Sequence, residues 1–183
     1  VLGFKEKNLI RSGFERPNLA YIVRECEDKL GKMAQVCNSI SGSGIVYVRQ
    51  RKKTEEIAAF LNSQGIDADF YHAGLGKELR SKKQDMWKKG DLRVMVATNA
   101  FGMGIDKPDV RFVAHLDLPE SLESYYQEAG RAGRDGEPSI AVLFWNNTDI
   151  KRLRGVLRVS FPPIEYIKYI YQKVFMFLAP VGL

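Results

Sequence analysis

Two arginines, Arg131 and Arg134, are the side chains in this sequence best suited to chemistry on a charged ligand. They are three residues apart, and a glycine precedes each of them. Residues at that spacing share one face of a helix, so both guanidinium groups can point at one target. A planar guanidinium binds two phosphate oxygens through parallel hydrogen bonds, which makes a polyphosphate a suitable target. A solvated arginine pair on a glycine-rich loop explains the spacing equally well.

The rest of the sequence lacks the parts that hold a polyphosphate. No G-x-x-x-x-G-K-S/T motif occurs, and no Asp-Glu pair follows an apolar strand to bind magnesium. Gly102 and Gly104 follow an apolar run, but the third glycine of a dinucleotide fingerprint is missing and Pro108 delays any helix. A generic nucleotide-binding domain is therefore disfavoured. We expect the arginine pair to serve a nucleotide that another domain holds.

The elements that must position these arginines alternate between short apolar runs and amphipathic helices. Helices are predicted after the capping residues Asp28 and Thr54, from Lys77 to Lys89, and from Ser121 into the arginine segment. This alternation predicts an α/β domain with a mostly parallel sheet flanked by helices. The predicted strands are residues 19–23, 45–48, 68–71, 92–97, 110–116 and 140–144.

Polar segments follow several of these strands. In a parallel sheet, ligands gather at the carboxyl ends of the strands. We therefore expect segments 49–53, 72–75 and 98–107 to lie on one edge, with the arginine segment within reach of it.

Composition limits the kinds of partner. The 183 residues carry a net charge of +6, which fits a surface that binds a polyanion. Cys26 and Cys37 have no histidine or second cysteine at ligand spacing, so we expect reduced intracellular thiols and no metal site. No apolar run approaches the length of a membrane span. Since Val1 is not an initiator methionine, we expect a part of a longer protein.

Four segments together resemble one known family. They are Tyr71–Leu75, Val96–Pro108, Ser124–Glu128 and Gln127–Gly136, which carry Y-H-A-G-L, V-A-T-N-A-F-G-M-G-I-D-K-P, S-Y-Y-Q-E and Q-E-A-G-R-A-G-R-D-G. In this order and spacing the chain, from about residue 14 to residue 149, resembles the second RecA-like domain of superfamily 2 DNA helicases of the RecQ type. The resemblance implies a three-layer RecA-like domain at 17–148, after a leading segment at 1–16. A helical tail at 149–183 would lead into a downstream region.

The resemblance also implies roles at a nucleotide. Arg131 and Arg134 would be catalytic and reach the γ-phosphate of ATP, with Arg134 as the arginine finger. Gln127, Gly104 and Asp106 would lie at the nucleotide. ATP and Mg²⁺ would be held mainly by a missing first RecA-like domain, so the chain alone is expected to be inactive.

A second set of residues would contact single-stranded DNA. Thr98 matches a residue that contacts the phosphate backbone, although a helix or turn cap is its alternative role. Arg51 and His72 match positions along the strand path. For His72, a hydrogen-bonded histidine that supports its loop is an equal alternative. Gln50 stands where the family usually has a small polar residue.

Other features have simpler explanations. The basic face of the helix from Lys77 to Lys89 favours a solvated surface over a DNA contact. Tyr125 and Tyr126 could stack on bases, but we expect both in the core, and His115 reads as structural. Two helices, 149–159 and 163–178, should leave apolar side chains exposed, and the chain supplies none of the four cysteines that often form a zinc subdomain in the family. The expected exposed residues are Phe161, Tyr166, Ile170 and Phe175.

These observations lead to one hypothesis and two rivals. The chain is expected to be the second motor domain of a 3′-to-5′ DNA helicase that acts on single strands and duplex junctions. Its partners would be DNA and the first motor domain, in the bacterial cytoplasm or the nucleus, with no membrane. An RNA helicase of the same superfamily is one rival. A nucleic-acid-binding module that uses no nucleotide is the other.

Overall fold

A computed structural model describes residues 15–102 and 104–178. Within these residues six strands and six helices follow one another. The strands are β1 Leu19–Glu25, β2 Ser43–Tyr47, β3 Ala68–Tyr71, β4 Val94–Ala97, β5 Val110–His115 and β6 Ser139–Trp145. The helices are α1 Lys29–Ser39, α2 Arg51–Ser63, α3 Lys77–Lys89, α4 Leu122–Ala129, α5 Asn147–Ser160 and α6 Ile164–Leu178. All six predicted strands are present close to their predicted bounds.

The strands form a single sheet in the order β1-β6-β5-β2-β4-β3. Every neighbouring pair is parallel. The central strands β2 and β4 are buried along their whole length, because helices cover both faces of a parallel sheet. The predicted α/β fold is confirmed, and the carboxyl ends of all strands lie on one edge.

Alternate residues along the strands contribute their side chains to two separate hydrophobic cores, one on each face of the sheet. On one face Val46 and Val96 join Met33 of α1 and Leu61 of α2. On the other face the flanking strand residues pack with Trp87 of α3 and Ala129 of α4. Because strand side chains alternate between faces, a run such as Ile45–Val48 has to be apolar throughout.

Local signals set most helix ends, but one prediction was wrong. Asp28 caps α1 by accepting a hydrogen bond from the backbone N–H of Gly31 at 2.9 Å. Thr54 does not cap α2, because the helix already starts at Arg51. Thr54 is instead buried in the first turn, and its hydroxyl donates to the Arg51 carbonyl. Gly90, with a φ of +88°, ends α3 in the left-handed conformation.

Helices α5 and α6 extend beyond the sheet. Asn146 and Asp149 form a capping box at the start of α5, and Lys29 of α1 pairs with Asp149. Every α6 residue whose side chain is described is exposed, from Ile164 to Met176. The four apolar residues predicted to be exposed, Phe161, Tyr166, Ile170 and Phe175, are so. Among the described residues, no helix is both long and apolar enough to cross a bilayer.

Candidate nucleotide and nucleic-acid site

The two arginines lie just beyond α4 and not on it. The helix ends at Ala129, and residues 130–136, here called the arginine loop, form successive turns. Ser121 starts this helix as predicted, since its hydroxyl accepts from the Ser124 N–H at 3.1 Å. The turns end near the amino ends of the strands, where the Gly133 N–H donates to the carbonyl of Val110 at 2.8 Å. The backbone of this loop therefore lies away from the carboxyl edge, because the short α4 returns the chain along the sheet.

Arg131 nevertheless reaches the segment that follows β4, residues 98–107, here called the β4 loop. Its guanidinium Nη1 donates to the carbonyl of Gly102 at 2.5 Å. Gly102 has a φ of +127°, and a Cβ there would overlap the guanidinium. The Nε of Arg131 is buried without a partner among the described residues. Arg131 is thus half-buried and holds the β4 loop through Gly102.

Arg134 is the more accessible of the two arginines. Its side chain is 38% exposed, and Nη1 lies 3.1 Å from the carboxylate of Asp106, which is 84% exposed. A weaker contact of 3.5 Å joins the same nitrogen to the carbonyl of Ile105. Exposed ion pairs contribute roughly 0–1 kcal/mol, so Arg134 can exchange this partner for another anion at little cost.

All five residues predicted at the nucleotide line one open cleft. These residues are Gly104, Asp106, Gln127, Arg131 and Arg134. Gln127 and Arg134 are exposed, and Gly104 has a φ of +72°. Two guanidinium groups beside a glycine-rich backbone fit a polyphosphate in charge and shape.

Tyr126 also lines this cleft, and its predicted place in the core was wrong. It is 55% exposed, whereas Tyr125 is half-buried. Tyr126 meets the Tyr21 ring edge-on, with ring centroids 5.8 Å apart. Because successive side chains of a helix point about 100° apart, just one of two adjacent tyrosines on α4 can face the sheet directly.

The N-terminal side of the sheet anchors the arginine loop, which the sequence did not reveal. Arg16 Nη2 donates to the carbonyls of Ala132 at 2.9 Å and Gly133 at 2.6 Å. Asn18 Nδ2 donates to the same Gly133 carbonyl at 2.7 Å. The sequence signal for these residues is limited to their place in a polar Arg-Pro-Asn stretch just before a strand. Their target depends on the pairing of β1 with β6, which no local signal predicts.

A buried polar chain links the central strands to α4. The Tyr47 hydroxyl donates to the carbonyl of Phe101 at 2.9 Å. Burial raises the pKa of this hydroxyl, and the nearby Arg131 charge opposes that rise. The Tyr47 ring stacks on His115 at 5.3 Å, and His115 Nε2 donates to the Glu128 carboxylate at 2.8 Å. His115 is structural as expected, but its partners were not foreseen.

The residues predicted to contact DNA lie around the ends of β2, β3 and β4. The Thr98 N–H donates to the carbonyl of Tyr71 at 3.2 Å, so Thr98 directly follows the paired strands. Thr98 is only 6% exposed. Arg51 is exposed at the start of α2, and its guanidinium approaches Gly74 beside His72. The structure brings the three residues to one edge, while their contact with DNA stays a prediction.

His72 has the geometry of a supporting residue. It is buried, its Nε2 lies 3.2 Å from the carboxylate of Glu55, and it stacks on Phe70. Its Nδ1 has no partner among the described residues. Both the support role and a DNA contact remain open to His72, but Arg51 is better exposed.

The basic helix α3 is only partly a solvated face. Lys77, Lys82 and Lys89 are exposed. Lys83 is buried, pairs with Asp69 and lies 3.9 Å from the centre of the Phe70 ring. This lysine therefore belongs to the core. In the described part of the chain, no group of three or more His, Cys, Asp or Glu side chains could hold a metal ion.

A glycine-rich turn with two arginines lies next to a strand-end loop on a parallel sheet with helices on both faces, an arrangement that fits a motor domain of the helicase class. The chain belongs to the family described as "Helicase conserved C-terminal domain", which matches residues 28–136.

Two relatives that cover most of the chain carry names of the RecQ type. The chain is 48% identical over 161 residues to "ATP-dependent DNA helicase Q-like 2" of Arabidopsis thaliana, covering 84% of this chain and 23% of that protein. It is 44% identical over 160 residues to "ATP-dependent DNA helicase RecQ" of Pasteurella multocida, covering 85% of this chain and 25% of that protein. The chain therefore spans about a quarter of the length of each of these relatives.

Solved structures agree on the fold. The C-terminal domain of the DEAD-box protein Dbp5 superposes with a TM-score of 0.64 at 22% identity, covering 85% of this chain and 98% of that one. This likeness shows the RecA-like fold alone. The predicted fold and the resemblance to RecQ-type helicases are confirmed.

Proposed function

We propose that the chain is the second motor domain of an ATP-dependent 3′-to-5′ DNA helicase. A first RecA-like domain holds ATP and Mg²⁺, and this domain faces it across the cleft. The observation that carries the proposal is the exposed guanidinium of Arg134, which shares its cleft with Gly104, Asp106 and Gln127. The relatives named as ATP-dependent DNA helicases support the choice of substrates.

In this proposal the two arginines have different tasks. Arg134 leaves the exposed carboxylate of Asp106 and binds the γ-phosphate, where its charge stabilises the transition state. An arginine in that role is worth about 10³–10⁵ in rate, or about 4–7 kcal/mol. Arg131 keeps its bond to Gly102 and fixes the β4 loop against the cleft.

The β4 loop joins the nucleotide to the nucleic acid. It begins at Thr98, at the edge where Arg51 is exposed, and it reaches Asp106 in the cleft. Its middle is held by the Tyr47 hydroxyl at Phe101. Opening and closing of the cleft during hydrolysis moves this loop, and the loop moves the strand that Thr98 and Arg51 hold. We expect Thr98 and Arg51 to contact backbone phosphates, because such contacts do not depend on the base sequence.

The proposed division of the chain follows from these tasks. Residues 17–148 form the motor domain, and residues 149–183 lead into a downstream region. The protein acts inside the cell, where its DNA lies. The chain alone does not hydrolyse ATP, because the arginines are only half of a site.

Substitution of Arg134 in the intact protein tests the proposal. We expect R134A to lower DNA-stimulated ATP hydrolysis by about 10³–10⁵-fold while single-strand binding stays within about threefold. R24A is the matched control, because Arg24 is exposed and lines a groove on the opposite face of the sheet. Unchanged hydrolysis in R134A would contradict the proposal and favour a nucleic-acid-binding module that uses no nucleotide.

A second measurement separates DNA from RNA as the substrate. Unwinding is compared on DNA and RNA duplexes of the same sequence and the same 3′ overhang. We expect the DNA duplex to be unwound and the RNA duplex to remain intact. Faster unwinding of RNA would assign the protein to the RNA helicases of the superfamily.

A further inference from the structure

We infer that Arg16 and Asn18 are positioning residues, which hold the arginine loop so that Arg131 contacts the β4 loop and Arg134 faces the nucleotide. The inference rests on the proposed function of those arginines. Arg16 and Asn18 precede β1 and are separated by more than a hundred residues from the loop that they contact. Their side chains donate hydrogen bonds to backbone carbonyls at and beside the loop and not to the side chains of Arg131 or Arg134, so they act through the backbone of the loop.

Arg16 contacts backbone carbonyl groups that flank the two arginines of the loop. Its guanidinium donates to the carbonyl of Gly130 at 3.5 Å, of Ala132 at 2.9 Å and of Gly133 at 2.6 Å. Arg131 stands between the first two of these carbonyls, and Arg134 follows the third. A charged donor forms hydrogen bonds roughly twice as strong as those of a neutral donor. One side chain therefore fixes the backbone on both sides of Arg131 and directly before Arg134.

Asn18 ties this contact to the sheet. Its Nδ2 donates to the carbonyls of Gly133 at 2.7 Å and Glu137 at 3.0 Å, and its own carbonyl accepts from the Ser139 N–H at 2.8 Å. The next residue, Leu19, is paired with Ser139 where β1 meets β6. The hydrogen bonds of Arg16 and Asn18, here called the clamp, thus connect the arginine loop to the parallel sheet.

Gly133 is held from both directions. Its carbonyl accepts from Arg16 and Asn18, and its N–H donates to Val110 at 2.8 Å. With a φ of +61°, it has no room for a side chain, because a Cβ would lie 2.5 Å from Asn18 Nδ2. Because the backbone of Gly133 is held on both sides, the position of the next residue, Arg134, is fixed as well. A misplacement of about 1 Å at a reacting group can lower a rate by about 10²-fold.

Kinetics of the intact protein distinguish positioning from general stabilisation. We expect R16A to lower kcat for DNA-stimulated ATP hydrolysis by about 10–100-fold, with KM for ATP and single-strand affinity within about threefold. R16K keeps the charge but cannot span three carbonyls, so we expect it to recover Tm more fully than kcat. R24A should retain the kcat of the unchanged protein. If R16A retains its full kcat, or if R16K restores kcat and Tm in equal proportion, the inference is wrong.

The double variant R16A/R134A completes the test. If Arg16 acts through the arginine loop, adding R16A to R134A lowers kcat no further, since the group that it positions is already gone. Losses that multiply would overturn the inference and leave Arg16 a structural residue. Unchanged hydrolysis in R134A alone would instead overturn the proposed function. Should R16A not fold, N18A takes its place, with a smaller loss of kcat expected and the same non-additivity with R134A.

Discussion

Arg134 and Asp106 form an ion pair across the cleft, with 3.1 Å between Nη1 and Oδ1, although 28 residues separate them in the chain. The pair joins the arginine loop to the far end of the β4 loop. Both side chains remain accessible, and Asp106 is the more exposed of the two. The contact therefore orients Arg134 without binding it tightly, which suits the exchange of partners that we propose for this residue.

Removal of Asp106 should leave the domain stable. We expect D106A to change the free energy of unfolding by less than about 1 kcal/mol, because water screens an exposed pair. Thermal denaturation of the intact protein measures this as a Tm close to that of the unchanged protein. A loss of several degrees would show that the pair is a main structural support of the cleft.

Removal of the Glu128 side chain should destabilise the domain far more than removal of the Asp106 side chain. His115 is 1% exposed, so E128A leaves its Nε2 buried without an acceptor. The loss of such a partner costs about 1–3 kcal/mol, or roughly 2–12 °C in Tm. The matched control is E123A, which removes an exposed glutamate from the first turn of the same helix and should lower the Tm far less. Equal Tm values for the two variants would contradict a structural role for the His115–Glu128 pair.

Arg51 should contribute one phosphate contact to the binding of single-stranded DNA. We expect R51A to weaken binding on every sequence alike and to reduce the slope of log affinity against log salt by about 0.7. K89A is the control, because the exposed Lys89 ends α3 at the opposite edge of the sheet. Fluorescence anisotropy at several salt concentrations measures both slopes. An unchanged slope in R51A would place the strand elsewhere.

The two cysteines should differ in reactivity. Burial raises the pKa of the Cys37 thiol to about 11, against an opposing effect of the Arg93 charge, whereas Cys26 is partly exposed. At pH 8 only about 0.1% of Cys37 would be thiolate, the form that reacts. We expect a maleimide to label Cys26 in the native protein, with labelling of Cys37 only after denaturation, as measured by peptide mass spectrometry. Equal labelling rates in the native state would contradict this assignment.

Much of the architecture could be predicted because its signals are local. Apolar runs such as Ile45–Val48 indicated buried parallel strands, and Asp28 and Gly90 marked helix ends by their own backbone preferences. Local signals failed where two of them competed. Thr54 resembles a helix cap, but the helix begins at Arg51 and buries that threonine in its first turn. Tyr125 and Tyr126 have the same side chain, and only the rotation of α4 decides which one is exposed.

The sequence by itself determined the α/β class, the helicase motifs and five of the residues that line the open cleft beside the arginine loop. The motifs are short and continuous in the sequence, so they can be identified without knowledge of the fold. Only the tertiary structure decided that Arg131 holds Gly102 while Arg134 remains accessible, and that Arg16 and Asn18 clamp the loop between them. Those contacts join residues that are far apart in the chain. They exist because β1 pairs with β6, and sheet order is set by the packing of the whole domain.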